Sequence, residues 1–334
     1  MKKTNLIILV LIMLACLLPL VMKDQYYLGV MVRLWLMAIL GLSFNAYTGY
    51  IGGLNLSFTA VFGVAAYAAA LMTVNVGASA WVGLITAVLV AAGASFIIGF
   101  PTLRLRGAYF LLLTMAFLAI ATSLAVSLRE LTGGTEGIPG IPPIEVGGFQ
   151  FSTPFRFYFL AFALFLICFV AFYLVVHSRL GRAFAAIREN EDLADSLGIN
   201  PFKYKLIAFV LAGVIGGVAG WAWAHYSGII DPSIFGFNLM FDASFIPMIG
   251  GLGSVGGPII GAFFMIWVPE TMQSILEYRY MIFPVLMILV IIFMPQGIWG
   301  YIQKVTQRSS STVDKTNATG KLLGAAPDDA PVNR

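Results

Sequence analysis

The sequence predicts an all-α integral membrane protein with about ten transmembrane helices, and three observations carry that expectation. Hydrophobic residues make up 60% of the chain and charged residues only 10%, whereas a soluble domain carries roughly a quarter charged. Apolar runs of about 18–22 residues recur from Leu6 almost to Pro295, the length that crosses roughly 30 Å of hydrocarbon. The runs are continuous, without the period-two alternation of a membrane strand. Unpaired backbone groups are costly in lipid, so a bilayer admits only helices or closed barrels. Continuous runs select the helices.

The first run, 5–22, follows Met1-Lys2-Lys3. It has the outline of a signal peptide, and Ala15-Cys16 resembles a lipidation site. Because many further spans follow, a first transmembrane helix is the better reading. Spans come next near 28–48, 56–74, 80–100, 108–128 and 155–176, with 129–154 as an external loop. A polar stretch at about 177–205 precedes a span at 206–224, a glycine-rich pair at 240–250 and 256–268, and a last span at 280–297. Segment 240–250 is too short to cross alone, so the pair reads as a hairpin turning at Gly250-Gly251-Leu252-Gly253-Ser254-Val255-Gly256-Gly257-Pro258. One helix through that cluster would lose about 1 kcal/mol per glycine relative to alanine, besides the proline break. Residues 1–306 thus form a transmembrane domain. Residues 307–334, rich in Ser, Thr, Asn, Asp, Ala and Pro, cannot build a core and read as a disordered cytoplasmic tail.

Orientation follows from the basic residues. With the N-terminus inside, fourteen of the nineteen Lys and Arg residues fall on the cytoplasmic side, among them Arg104, Arg106, Arg179, Arg182, Arg188, Lys203 and Lys205. Both termini are then cytoplasmic. Reading 240–268 as one crossing would carry the C-terminal basic residues outside.

Several function classes are excluded or disfavoured. Cys16 and Cys168 both lie in expected spans, which supports neither a disulfide framework nor a metal cluster. Ionisable residues at membrane depth mark ion-coupled pathways, and only Arg33 and Asp242 qualify, both near the outer ends of their spans. No phosphate-binding loop is present; Gly320-Lys321 comes closest but lacks the upstream glycine and the Ser or Thr. The chain therefore carries neither an ion motor nor an ATP motor of its own, and no cofactor or nucleic acid is expected on it. Either it is a passive channel, or a partner supplies the work. His225 with Ser254 raises an intramembrane hydrolase, but no third orienting group accompanies them.

The polar stretch reads as two short helices. Arg182 to Arg188 forms the first, with small residues at 183, 185 and 186. Asn190 caps the second, acids occupy its first turn, and Gly198 ends it. Leu193, Ala194 and Leu197 then share a face at three- and four-residue spacing. So short a helix is marginal in water. It makes sense either packed into a groove on another protein or lying as an amphipathic connector on the membrane surface.

These residues also carry a resemblance. Gly181-Arg182-Ala183, Ala186-Ile187-Arg188-Glu189-Asn190-Glu191 and Leu197-Gly198-Ile199-Asn200 resemble the coupling loop of ABC-importer permeases of the branched-chain amino acid family, in its LivM-like branch. Lys205-Leu206-Ile207-Ala208-Phe209, the glycine cluster at 250–257, Leu103-Arg104-Leu105-Arg106-Gly107, Thr132-Gly133-Gly134-Thr135-Glu136-Gly137 and Pro295-Gln296-Gly297 extend it over about residues 30–300. The resemblance implies a subunit that works with a second, related permease, two ATP-hydrolysing subunits holding ATP and magnesium, and a periplasmic solute-binding protein in a bacterial inner membrane. It implies hydrophobic amino acids as substrates, with urea or short amides as the alternative. It also implies that Gly181, Arg182, Arg188, Glu189, Glu191, Ala194, Leu197, Gly198 and Asn200 form the loop that receives the nucleotide-driven motion. Two departures stand out: Leu193-Ala194 replaces the usual Ala-Ala pair, and Asn55-Leu56-Ser57-Phe58-Thr59-Ala60 replaces a segment with glycine and histidine.

For a path through the bundle, the candidates are Asn45, Asn55, Ser57, Thr59 and Thr114, polar groups in or beside spans. Phe62 and Tyr67 follow them on the same span. Such residues also bond neighbouring helices. The aromatic-rich span from Phe155 to Tyr173 reads as lipid-facing bulk, and the external loop with Glu130, Glu136 and Glu145 reads as a dock for a binding protein.

Overall fold

The computed structural model describes residues 24–271 continuously, with Pro19 and short pieces between 285 and 301. Most of the expected spans 5–22 and 280–297, and the tail 307–334, lie outside the described residues. The rest is a helical bundle whose elements begin and end where local chemistry dictates.

Helix α1, Gln25–Phe44, starts at Asp24, whose Oδ1 accepts from the Tyr26 amide at 2.9 Å. It runs on as a π-helical turn, Asn45–Gly49. This span lies at the centre of the fold, 83% buried. Helix α2, Phe58–Val74, begins after an Asx turn in which Asn55 Oδ1 accepts from both the amide and the hydroxyl of Ser57. Helices α3, Ala80–Thr102, α4, Ala108–Ser127, and α5, Pro154–Val176, follow. Two short polar helices, α6 (Arg179–Glu189) and α7 (Glu191–Ser196), precede the long α8, Pro201–Ser227. The first turn of α8 is set by Asn200, whose Oδ1 accepts from Lys203 N at 3.0 Å, and by Pro201 at its first position. That pair starts the helix at 201 rather than at the expected 206.

The glycine-rich region forms two helices, α9 (Phe237–Gly250) and α10 (Gly257–Thr271), with the turn between them. They touch backbone to backbone: a Cβ on Gly261 would stand 1.8 Å from the Ile246 carbonyl oxygen. Among the described residues, five helices are long and apolar enough to cross a membrane, and α2 and α9 are shorter apolar helices.

Small residues let the helices approach, as they do where lipid offers no hydrophobic driving force. On α8, Gly213 and Gly217 face Ser95 and Ala91 of α3, while Gly220 lies against the Phe62 carbonyl of α2, where a Cβ would come within 2.3 Å. Helix α5 differs from the lipid-facing expectation. Phe157, Tyr158, Phe162, Phe165 and Phe172 are buried, and Trp35 packs on Phe162 and Phe165 at 4.8 and 5.1 Å. Its other face, with Ile167, Val170 and Leu174, is exposed. The expectation failed because nearly every position after Arg156 is apolar, so no periodicity marks which face is inward.

The 129–154 segment folds as a cap. A strand β1, Ile138–Pro139, pairs antiparallel with β4, Ile229–Ile230, and β2, Glu145–Val146, pairs with β3, Phe149–Gln150, through a Gly147-Gly148 turn with positive φ at both. Its backbone carbonyls meet the bundle: Trp81 Nε1 donates to Glu145 O, and His225 Nδ1 lies 2.7 Å from Pro142 O. Glu130, Glu136 and Glu145 are exposed on it. The bundle thus has a loop end, and opposite it a basic end bearing Arg106, Arg188 and Lys205.

Candidate functional site

The basic end gathers four pieces of chain distant in sequence. They are the π turn at the end of α1, the α3–α4 loop, the α6–α7 pair and the α9–α10 turn. Together the first three line a cleft of about 570 Å³ that includes Tyr47, Gly53, Leu103, Arg106, Arg188 and Glu191.

Helix α6 is held by its own chemistry. Ser178 Oγ accepts from Leu180 N at 3.1 Å as N-cap, and Gly181 lies so close to the end of α5 that a Cβ would stand 1.9 Å from the Val176 oxygen. Its inner face buries Ala183, Phe184 and Ile187, and Arg182 is exposed. Asn190 then caps α7, accepting from Leu193 N at 3.0 Å, with Glu191 and Asp192 in the first turn. Gly198, at φ +83°, closes it in the left-handed region. The α7 boundaries follow the expected ones, whereas α6 begins three residues before the expected Arg182 because Ser178 caps it.

Two linkages tie this pair to the spans. The Arg188 guanidinium donates to the Gly49 carbonyl at the end of α1 and lies beside Gly253 of the α9–α10 turn. Asn45 locks the same two pieces from the other side: its Nδ2 donates to Ser254 O at 2.8 Å, and its Oδ1 accepts from Gly253 N at 3.0 Å. Gly49 sits inside this clamp, with space for no Cβ: one would stand 2.1 Å from Asn45 Oδ1. The second linkage is ionic. Glu191 meets Lys205 at 2.6 Å and Arg106 at 3.7 Å, and Asp192 meets Arg106 at 3.3 Å. So α7 is tied to the start of α8 and to the α3–α4 loop.

The apolar face expected on α7 is divided. Ala194 is 2% exposed and turned to the bundle, while Leu193 and Leu197 are 57% and 73% exposed. Glu189 and Asn200 are exposed beside them. The linkages through Gly49, Asn45, Arg106 and Lys205 were not read from sequence. Glu191 and Lys205 are 14 residues apart, but the other partners are separated by 85 to 209 residues, and only the placing of Arg106 and Lys205 at span ends hinted at a shared surface.

The polar residues named for a path are buried together at the start of α2. Asn55, Ser57, Thr59 and Thr114 are all 0% exposed. Thr114 Oγ1 donates to Leu111 O at 2.8 Å, and the Leu56 amide reaches it at 3.4 Å. Asn55 Nδ2 and the Tyr67 hydroxyl are buried without a hydrogen-bond partner among the described residues. Tyr67 stacks on Phe235 at 5.8 Å, and Phe62 packs against Trp223. Asn45 belongs instead to the clamp. His225 and Ser254 stand at opposite ends of the bundle, the first on Pro142 and the second bonded to Gly251 O at 2.8 Å, so these two form no Ser/His pair.

Comparison with known proteins bears on the same region. The permease LivM of the high-affinity branched-chain amino acid transport system of Escherichia coli K12 is 32% identical over 283 residues, covering 78% of this chain and 67% of that protein. The LivH permease protein of Salmonella typhimurium is 35% identical over 127 residues, 37% of this chain and 41% of its own length. The BraD permease protein of Pseudomonas aeruginosa is 32% identical over 139 residues, 41% of this chain and 45% of its own. No solved structure matches the chain significantly. Residues 26–292 match the family described as branched-chain amino acid transport system, permease component, and with LivM alike over most of its length, the chain belongs to that family.

Proposed function

We propose that this permease is one of two related membrane subunits of an ATP-driven importer that moves branched-chain or other hydrophobic amino acids into the cell. In this reading it sits in a bacterial inner membrane with both termini cytoplasmic and the basic end facing the cytoplasm. Two ATPase subunits, each with ATP and magnesium, supply the work, and a periplasmic solute-binding protein delivers the substrate to the loop end.

The observation that carries the reading is the α6–α7 pair. It exposes Leu193 and Leu197 side by side on the outside and is joined through Arg188 to α1 and to the α9–α10 turn. A monomer gains nothing by exposing two leucines on a six-residue helix. A docked ATPase gains an anchor, and each of its closures displaces α6–α7 against the ends of the spans. The Arg188 linkage moves α1 and the α9–α10 turn, while the Glu191 linkage moves α8 and the α3–α4 loop. Displacing four span ends together opens one side of the bundle as it closes the other, the alternating-access cycle such an importer needs.

The test is uptake of L-leucine by proteoliposomes holding the complete complex, with and without internal ATP. ATP-dependent leucine uptake supports the proposal. ATP-dependent uptake of urea or acetamide in place of leucine supports the amide alternative, and uptake without ATP overturns both.

A further inference from the structure

The loop end contains a second cavity, a cleft of about 1380 Å³ between α1, the start of α5, the end of α8, α9 and α10. It exceeds the roughly 300–1,000 Å³ of ordinary small-molecule sites. Arg33 and Asp242 both line it. Arg33 stands eight residues into α1 and Asp242 five into α9, about 12 and 8 Å along their helices at 1.5 Å per residue. Among the described residues neither has an ion pair or hydrogen bond, with each other or with any other group. Glu270, which accepts from the Tyr26 hydroxyl, stands on the same cleft.

A charge at membrane depth is expensive and persists where it faces a cavity and has work to do. Two opposite charges that face one cleft without pairing leave a gap between them that suits a molecule carrying both signs. The rest of the wall is mixed: Met37, Phe157, Trp223 and Phe245 form an apolar part, and Ser152, Thr153, Asn238 and Glu270 a polar one. We propose that this cleft binds a free α-amino acid as its zwitterion. The Arg33 guanidinium takes the carboxylate through its two-pronged donor geometry, Asp242 takes the ammonium, and the aliphatic side chain lies on the apolar part of the wall. The inference rests on the importer reading and deepens it. Urea and short amides carry no net charge at either end and gain nothing from the pair, so the cleft selects amino acids over them.

The test is equilibrium binding of radiolabelled L-leucine to the detergent-purified complete complex without binding protein. The competitors are leucinamide, which lacks the carboxylate, and 4-methylpentanoate, which lacks the ammonium. The wild-type complex is expected to prefer leucine over each competitor by about tenfold or more, as the loss of one charge-assisted contact implies. Arg33→Gln is expected to erase the preference over leucinamide, and Asp242→Asn the preference over 4-methylpentanoate, with the complex still co-purifying intact. Arg33→Lys keeps part of the preference. Equal binding of all three compounds by the wild type overturns the inference, and so do variants that keep its selectivity. Variants that lose the second permease on purification also overturn it, because the two charges would then be an inter-subunit pair. In each of these cases ATP-driven leucine uptake by the wild-type complex leaves the importer reading standing. A wild type that neither binds nor moves leucine removes both.

Discussion

Replacing Arg188 by alanine cuts the direct link between the exposed α6–α7 pair and the spans. The guanidinium donates to the Gly49 carbonyl, and the acceptor sits on a π turn clamped by Asn45 to the α9–α10 turn. A hydrogen bond to a charged group contributes about 1.5–3 kcal/mol net, which at 1.4 kcal/mol per decade is a factor of about 10 to 140 in the equilibrium it biases. The affected equilibrium is between spans that follow α6–α7 and spans that do not. Since Ala183, Phe184 and Ile187 still bury the helix, the fold survives. The expected result in proteoliposomes is ATP hydrolysis close to wild type with leucine imported per ATP reduced by about tenfold or more. Arg188→Lys should fall between, because an ammonium keeps the charge but not the fork. Wild-type uptake per ATP in the alanine variant would refute the transmission argument.

Gly198 has φ +83° with nothing near its missing Cβ. A side chain there therefore meets strain of about 1–2 kcal/mol rather than a clash; Gly198→Arg should lower uptake by roughly 5- to 30-fold with membrane insertion intact, and Gly198→Asn should be milder, as uptake and fractionation assays will tell. Glu191→Lys should lower uptake by breaking the contacts with Lys205 and Arg106, and the swap Glu191→Lys with Lys205→Glu should restore part of it, since it puts opposite charges back at a contact that is 2.6 Å long in the wild type. Gly220→Val would force a Cβ into the 2.3 Å approach to the Phe62 carbonyl. The expected cost is about 1–3 kcal/mol, read as a melting midpoint several degrees lower for the purified chain.

The α9–α10 turn was legible because a glycine cluster with a proline marks a break by composition alone. The boundaries of α7 were legible because both of their signals are local: Asn190 accepts from the Leu193 amide three residues on, and Gly198 takes the left-handed φ that ends the helix. Long-range partners leave no such mark. Asn45 was read as a polar residue on a path, but its amide closes on Gly253 and Ser254, over two hundred residues on. The inward turn of Ala194 was hidden for a related reason. On a helix of six residues the face is chosen less by its own apolar pattern than by the Glu191 contacts with Lys205 and Arg106. In α5 the buried aromatic face was invisible because its lipid face is equally apolar. Arg33 and Asp242 were legible as charges within spans, but that they line one cleft was not, because they stand over two hundred residues apart.

The central claim is that α6–α7 is the surface on which ATPase partners work. The most direct measurement is co-purification of the chain from its native membrane, as wild type and with Leu193→Asp and Leu197→Asp combined. Both side chains are already exposed, so the change leaves the bundle intact. The account predicts an ATPase pair and a second permease with the wild type, and loss of the ATPases alone from the variant. A chain that purifies by itself and still moves solute in liposomes without ATP would contradict it.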